Sequence, residues 1–130
     1  MEVGVVRVDD INACQQRPPI RADRPQKRIF ISSPYRPTNG MTVEENKAQA
    51  NKYALRALLA GYLPFVPHTQ YEYLYDFYRD NALRANEEAI RLSCLEVEYC
   101  DEIWAFGPLT EGMAREVERA KDLGIPVVAK

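Results

Sequence analysis

Between Phe106 and Glu116 the chain reads Phe-Gly-Pro-Leu-Thr-Glu-Gly-Met-Ala-Arg-Glu, its richest concentration of residues that can do chemistry. An apolar run ends at Gly107, a short loop follows, and a helix is expected to open at Thr110. The first N–H groups of a helix have no partner within it, so they favour an anion or a sugar oxygen. Gly112 removes a side chain where a ligand could approach the backbone, with Met113 beside it. Glu116 lies one turn further on the same side and adds a carboxylate. The plainer reading makes Thr110 only a cap and Glu116 a solvated helix carboxylate.

Other reactive side chains are scarce. His68 is the single histidine and follows an apolar run, where it either bonds a ligand or serves structure. Cys14, Cys94 and Cys100 are odd in number and lack Cys-x-x-Cys spacing, which points to reduced thiols in the cytoplasm. One histidine leaves a catalytic cysteine without an obvious base, and metal ligands are equally few; no metal and no cofactor are expected. Tyr71, Tyr73, Tyr75 and Tyr78 could stack a planar ring, but core or subunit contact is the favoured reading. Arg115, Arg119 and Lys121 alternate with Glu111 and Glu118, as on a solvated helix face.

These residues need elements to position them. Residues 1–27, with a possible short strand over Val3 to Val8 and prolines at 18, 19 and 25, read as a flexible or extended arm. Residues 28–130 read as one domain. Arg28 to Ser32 is a buried strand ending in Ser33-Pro34, and Thr42 with Glu45 forms a capping box for a helix stopped by Gly61. Leu63 to Val66 is a second strand, Tyr71 to Tyr78 one aromatic helix, and Leu83 to Tyr99 another helix. Asp101 to Gly107 is a third strand, in which Trp104 should be buried. A helix from Thr110 then buries Met113, Val117 and Ala120 and closes at Gly124; Ile125 to Ala129 is the last strand.

Strands alternating with helices predict a Rossmann-like, three-layer α/β/α domain on a mainly parallel sheet of four or five strands. Ligands of such sheets sit beyond the carboxyl ends of the strands. Three loops meet there: Ser33 to Gly40 with Tyr35 and Arg36, Pro67 to Gln70 with His68, and Gly107 to Gly112. The Ser33 to Arg36 loop is expected to form the rim opposite Glu116.

Composition narrows the partners. With 130 residues, 46% of them hydrophobic, and a net charge of −2, the chain lacks the basic surface that grips nucleic acid. No apolar run reaches the roughly 20 residues of a membrane span, and the first residues do not read as a signal peptide. A soluble domain this small, dense in aromatics, is expected to form a homo-oligomer, at least a dimer, near Tyr71 to Tyr78.

Four segments together resemble the nucleoside 2-deoxyribosyltransferase superfamily, especially its small phage and bacterial branch. They are Ile-Phe-Ile-Ser-Ser-Pro-Tyr at 29–35, Cys-Asp-Glu-Ile-Trp-Ala-Phe-Gly at 100–107, Glu-Gly-Met-Ala-Arg-Glu-Val at 111–117 and Leu-Gly-Ile-Pro-Val at 123–127. The resemblance spans roughly residues 28–130. It implies that Glu116, four residues after Gly112, attacks an anomeric carbon and forms a glycosyl-enzyme ester; a carboxylate is suited to such a centre. It further implies that Thr110 binds ligand, Gln70 holds the nucleobase and Arg36 takes a 5′-phosphate. Two positions depart from the pattern. Relatives carry an aspartate for the leaving base where Ser93 stands, with Glu87, Glu88 and Glu96 as possible substitutes, and a first-strand tyrosine where Phe30 stands. Asp101 reads more simply as a turn or cap where the third strand begins.

Two functions stay open. One is an enzyme that breaks or transfers the N-glycosidic bond of a nucleoside or deoxynucleotide through Glu116. The other is a catalytically silent domain that binds a nucleotide or nucleotide-derived signal in the same pocket.

Overall fold

The computed structural model describes residues 26–130. The strand expected over Val3 to Val8, Cys14 and nearly all of the expected arm lie outside the described residues. The described chain runs β1 (Arg28–Ser32), α1 (Val43–Leu59), β2 (Leu63–Phe65), α2 (Pro67–Gln70), α3 (Tyr73–Phe77), α4 (Ala82–Val97), β3 (Glu102–Ala105), α5 (Glu111–Asp122) and β4 (Val127–Ala129). The strands form one four-stranded sheet in the order β2-β1-β3-β4, and every pairing is parallel. Phe30 stands level with Phe65 on one side and Ile103 on the other. The domain is Rossmann-like α/β, with helices on both faces of the sheet.

Local chemistry explains the main helices. Thr42 and Glu45 cap α1 reciprocally, at 3.1 and 3.2 Å. Its buried stripe is Asn46, Ala50 and Ala57, and the chain turns out of it through Gly61 at φ +97°. Asn81 starts α4 by accepting from the Arg84 N–H at 3.1 Å, and Thr110 starts α5 by accepting from the Met113 N–H at 3.3 Å. α5 buries Met113, Glu116, Val117 and Ala120, one stripe at helical spacing.

Strand alternation divides the core in two. Ile29, Ile31, Trp104 and Phe106 face α1, where Tyr53 stacks on Phe106 with ring centroids 3.8 Å apart. Phe30, Ile103 and Ala105 face α4 and α5, packing on Val97, Met113 and Val117. Each fully buried side chain of this size is worth roughly 1.5–3 kcal/mol. Trp104 is buried as expected. Asp101 fastens the start of β3 to β1: its Oδ2 accepts from the Arg28 N–H at 2.7 Å while its own N–H donates to the Arg28 carbonyl at 2.8 Å.

The aromatic stretch differs from expectation. Pro67 opens a helical turn, α2, where a loop was expected, as its fixed φ suits a first helical position. The single helix expected over Tyr71 to Tyr78 is instead the short α3, set off from α2 by a turn at Tyr71 and Glu72. The Leu74 and Tyr75 N–H groups bond three residues back, to Tyr71 and Glu72. That tighter winding lets Tyr71 bury beside Phe65 while Tyr75 turns toward Tyr35.

Candidate functional site

The connection from β1 to β2 runs to one side of the sheet, and β3 and β4 lie on the other. A doubly wound sheet opens a crevice at such a reversal, beyond the strands' carboxyl ends. The crevice here is a pocket of about 330 Å³, at the small end of ligand-sized cavities. The loop after β1, α2, α3, the stretch of α4 from Leu83 to Ser93 and the first turns of α5 enclose it.

Glu116 lies at its floor. It is 7% exposed, and the Ser32 hydroxyl donates to its Oε1 at 2.8 Å. Ser32 ends β1 on the same face as Phe30, which aims the hydroxyl at α5. Burial pushes the Glu116 carboxyl up to about 8, against the opposing effect of the Ser32 hydrogen bond. At neutral pH the group therefore holds its proton most of the time. Burial also raises the Cys94 thiol on α4, with a smaller contribution from Glu116. A carboxyl kept dry and fixed by one donor is suited to act on a ligand, either as nucleophile or as hydrogen-bonding acid.

The rim is built from the loop after β1. Ser33, Tyr35 and Arg36 all line the pocket, as Glu116 does. Two buried polar side chains hold this loop. Asn46 on α1 donates to the carbonyls of Tyr35 at 3.2 Å and Arg36 at 3.0 Å. His68 Nε2 lies 2.8 Å from the Pro34 carbonyl and 3.4 Å from Ser33 Oγ. A carbonyl only accepts, so this nitrogen carries the proton, and burial lowers the ring's pKa. His68 thus lines the pocket while spending its Nε2 on structure, with its ring 5.1 Å from that of Tyr35.

Tyr75 meets Tyr35 edge-on at 5.1 Å, and its hydroxyl donates to Asn86 Oδ1 at 3.2 Å. Burial pushes the Tyr75 phenol up to about 12, so it stays a donor. With Tyr71 these rings make an aromatic wall, although the tyrosine stripe read first as core or subunit contact. α4 adds Leu83, Asn86, Ile90 and Ser93 along one stripe. Ser93 is buried at 3% exposure and turned toward the cavity.

Several expectations are corrected. Gln70 does not line the pocket: His68 on α2 and Tyr71 just after it, three residues apart, take the inward side and leave Gln70 exposed. Gly107 is also outside it, serving as an exposed turn at φ +77°. Gly112 does line the pocket, but the side chain it lacks makes room for a neighbour, since a Cβ would stand 3.2 Å from Ile90 Cδ1. Glu116 is not a solvated carboxylate. Glu87, Glu88 and Glu96 do not substitute for an acid at Ser93: Glu87 is exposed, Glu88 pairs with Arg91 and Glu96 with Arg28, all away from the cavity. Phe30 is fully buried beside Phe65 and does not reach the ligand space. Thr110 and Met113 line the pocket as expected.

Ser32, Asn46 and Asn86 were not singled out in advance. Asn46 carried a signal, a polar residue on the Ala50 and Ala57 stripe, and so did Ser32, which shares the Phe30 face. Asn86 carried none, because its value depends on Tyr75 across a turn. Among the described residues no cluster of His, Cys, Asp or Glu could hold a metal ion, and no helix is long and apolar enough to cross a membrane.

No curated protein matches the chain. A family described as "Domain of unknown function (DUF7768)" matches residues 27–130, which takes in all four strands and every residue of the pocket. The chain belongs to this family.

Proposed function

We propose that the pocket takes a nucleoside or deoxynucleotide and that Glu116 acts on its N-glycosidic bond. The observation that carries the reading is the buried Glu116 carboxyl, fixed by Ser32 at the floor of a nucleoside-sized cavity with an aromatic wall. The likeness of the segments around Ser33, Phe106 and Glu116 to nucleoside 2-deoxyribosyltransferases supports it. In the reaction an ionised Glu116 oxygen attacks the anomeric carbon, and the carbon–nitrogen bond breaks toward the base. The base takes up a proton from water. Water, or a second base, then attacks the same carbon and frees the carboxylate. Arg36 stands at the rim with no ion pair among the described residues, which suits a 5′-phosphate.

The test is incubation with a panel of deoxynucleosides and their 5′-monophosphates, with free base followed by chromatography. Release by the wild type and none by Glu116→Gln is the expected result. A second reading is a silent nucleotide-binding domain. It is favoured by Ser93 at the place of a leaving-group acid and by a Glu116 that is mostly protonated at neutral pH. Tight binding with no base released from any member of the panel would establish it instead.

Self-association belongs to the same proposal. Tyr73, Phe77 and Leu83 are exposed beside the pocket mouth and suit burial against a second copy. A monomer mass by light scattering at micromolar concentration would end that part. The free thiols of Cys94 and Cys100 fit a reducing cytoplasm.

A further inference from the structure

The polar groups lining the pocket are unequal as readers of a ligand. The hydroxyls of Ser33, Ser93 and Thr110 can rotate to donate or accept, so each tolerates either kind of partner. His68 spends its Nε2 proton on the Pro34 carbonyl, and the Tyr71 hydroxyl points to the Leu92 carbonyl at 3.5 Å. Asn86 is different. Its Oδ1 accepts from the Tyr75 hydroxyl at 3.2 Å, and because a phenol donates more strongly than it accepts, this contact favours that orientation of the amide. Its Nδ2 has no hydrogen-bond partner among the described residues, and the side chain lines the cavity. Two N–H donors are thus held at one orientation, next to the aromatic wall of Tyr75 and Tyr35.

Position agrees with this. Asn86 and Ser93 lie seven residues apart on α4, roughly 10 Å along the axis. Ser93 is buried and lines the pocket together with Glu116, whereas Asn86 is half-buried and one turn from the exposed Leu83 at the start of α4. A nucleoside with its anomeric carbon at Glu116 would extend its base toward Asn86. We propose that Asn86, held by Tyr75, is the specificity-determining residue for the base, and that its donors select an edge bearing a carbonyl over one bearing an amino group. This rests on the nucleoside reading of the site. The preferred substrates are then 6-oxopurine and 4-oxopyrimidine deoxynucleosides, because an amino group facing Nδ2 would set donor against donor and leave both unpaired.

The experiment measures equilibrium binding by titration calorimetry in the Glu116→Gln protein, which does not consume its ligand. The probes are two matched pairs, deoxyinosine with deoxyadenosine and deoxyuridine with deoxycytidine. The oxo member of each pair should bind at least about tenfold more tightly. Asn86→Asp replaces the donors with an acceptor while still accepting from Tyr75, so it should invert the order. Tyr75→Phe frees the amide to turn over and should shrink the preference to less than about threefold, without touching α4. Equal binding within both pairs, or a preference unmoved by Asn86→Asp and Tyr75→Phe in folded protein, overturns the assignment while the nucleoside reading stands. Failure of all four probes to bind overturns both.

Discussion

β1 serves two faces that are built to different ends. On one, Ile29 and Ile31 pack with Trp104, Phe106 and Tyr53 under α1, a contact of apolar and aromatic groups. On the other, Phe30 begins the same way against Val97 and Met113, but two residues on Ser32 meets the buried carboxyl of Glu116. A further apolar pair would have sealed that end. The chain keeps instead a carboxyl whose ionisation is costly, at the point where the sheet opens a crevice. Under the proposed function, this expense within a well-packed core keeps a place for the ligand.

The comparison can be broken most sharply at Glu116. Glu116→Gln should lower base release at least about a thousandfold, near 4 kcal/mol of transition-state stabilisation, while a nucleoside still binds. The amide keeps the shape and cannot form the ester.

The same substitution should raise stability at high pH. The Glu116 pKa rises from 4.5 to about 8 on folding, so between those values the folded chain holds more protons than the unfolded one. Stability should therefore fall as pH climbs from 4.5 to 8, by up to about 5 kcal/mol, then level off. Denaturant titrations across this range should show the loss in the wild type and not in Glu116→Gln.

On the α1 face the effect should be purely structural. Ile31→Ala should cost about 3 kcal/mol of stability, with nucleoside affinity unchanged in the folded fraction. A large change in affinity at low temperature would mean that the two faces are not independent.

The smallest effect is expected at Ser32. Ser32→Ala removes the one hydrogen bond that favours an ionised Glu116, costing about 1 kcal/mol. The pH at which base release rises should then move upward by about one pH unit, and a shift downward would contradict the arrangement.

Repeating, short-range patterns made the fold and half of the pocket legible. Thr42 with Glu45, Thr110 before Met113 and the glycines at 61 and 124 announced the ends of α1 and α5, since a cap acts within one turn. Glu116 stood out by its place one turn after Gly112, at the start of a helix that follows a strand. Gln70 and Gly107 were misplaced because a loop's sequence says little about which of its side chains turn inward.

Amino-acid order alone thus determined a parallel α/β sheet, the ends of α1 and α5 and the crevice at the carboxyl ends of its strands, because periodicity and capping are local. Only the tertiary structure decided that Ser32 donates to Glu116, that His68 and Asn46 hold the Tyr35 loop, and that Tyr75 orients Asn86. These contacts join residues 11 to 84 positions apart, and the rise in the Glu116 pKa comes from the burial they share. Desolvation belongs to the packed assembly of β1, α4 and α5, and no one of those segments carries it alone.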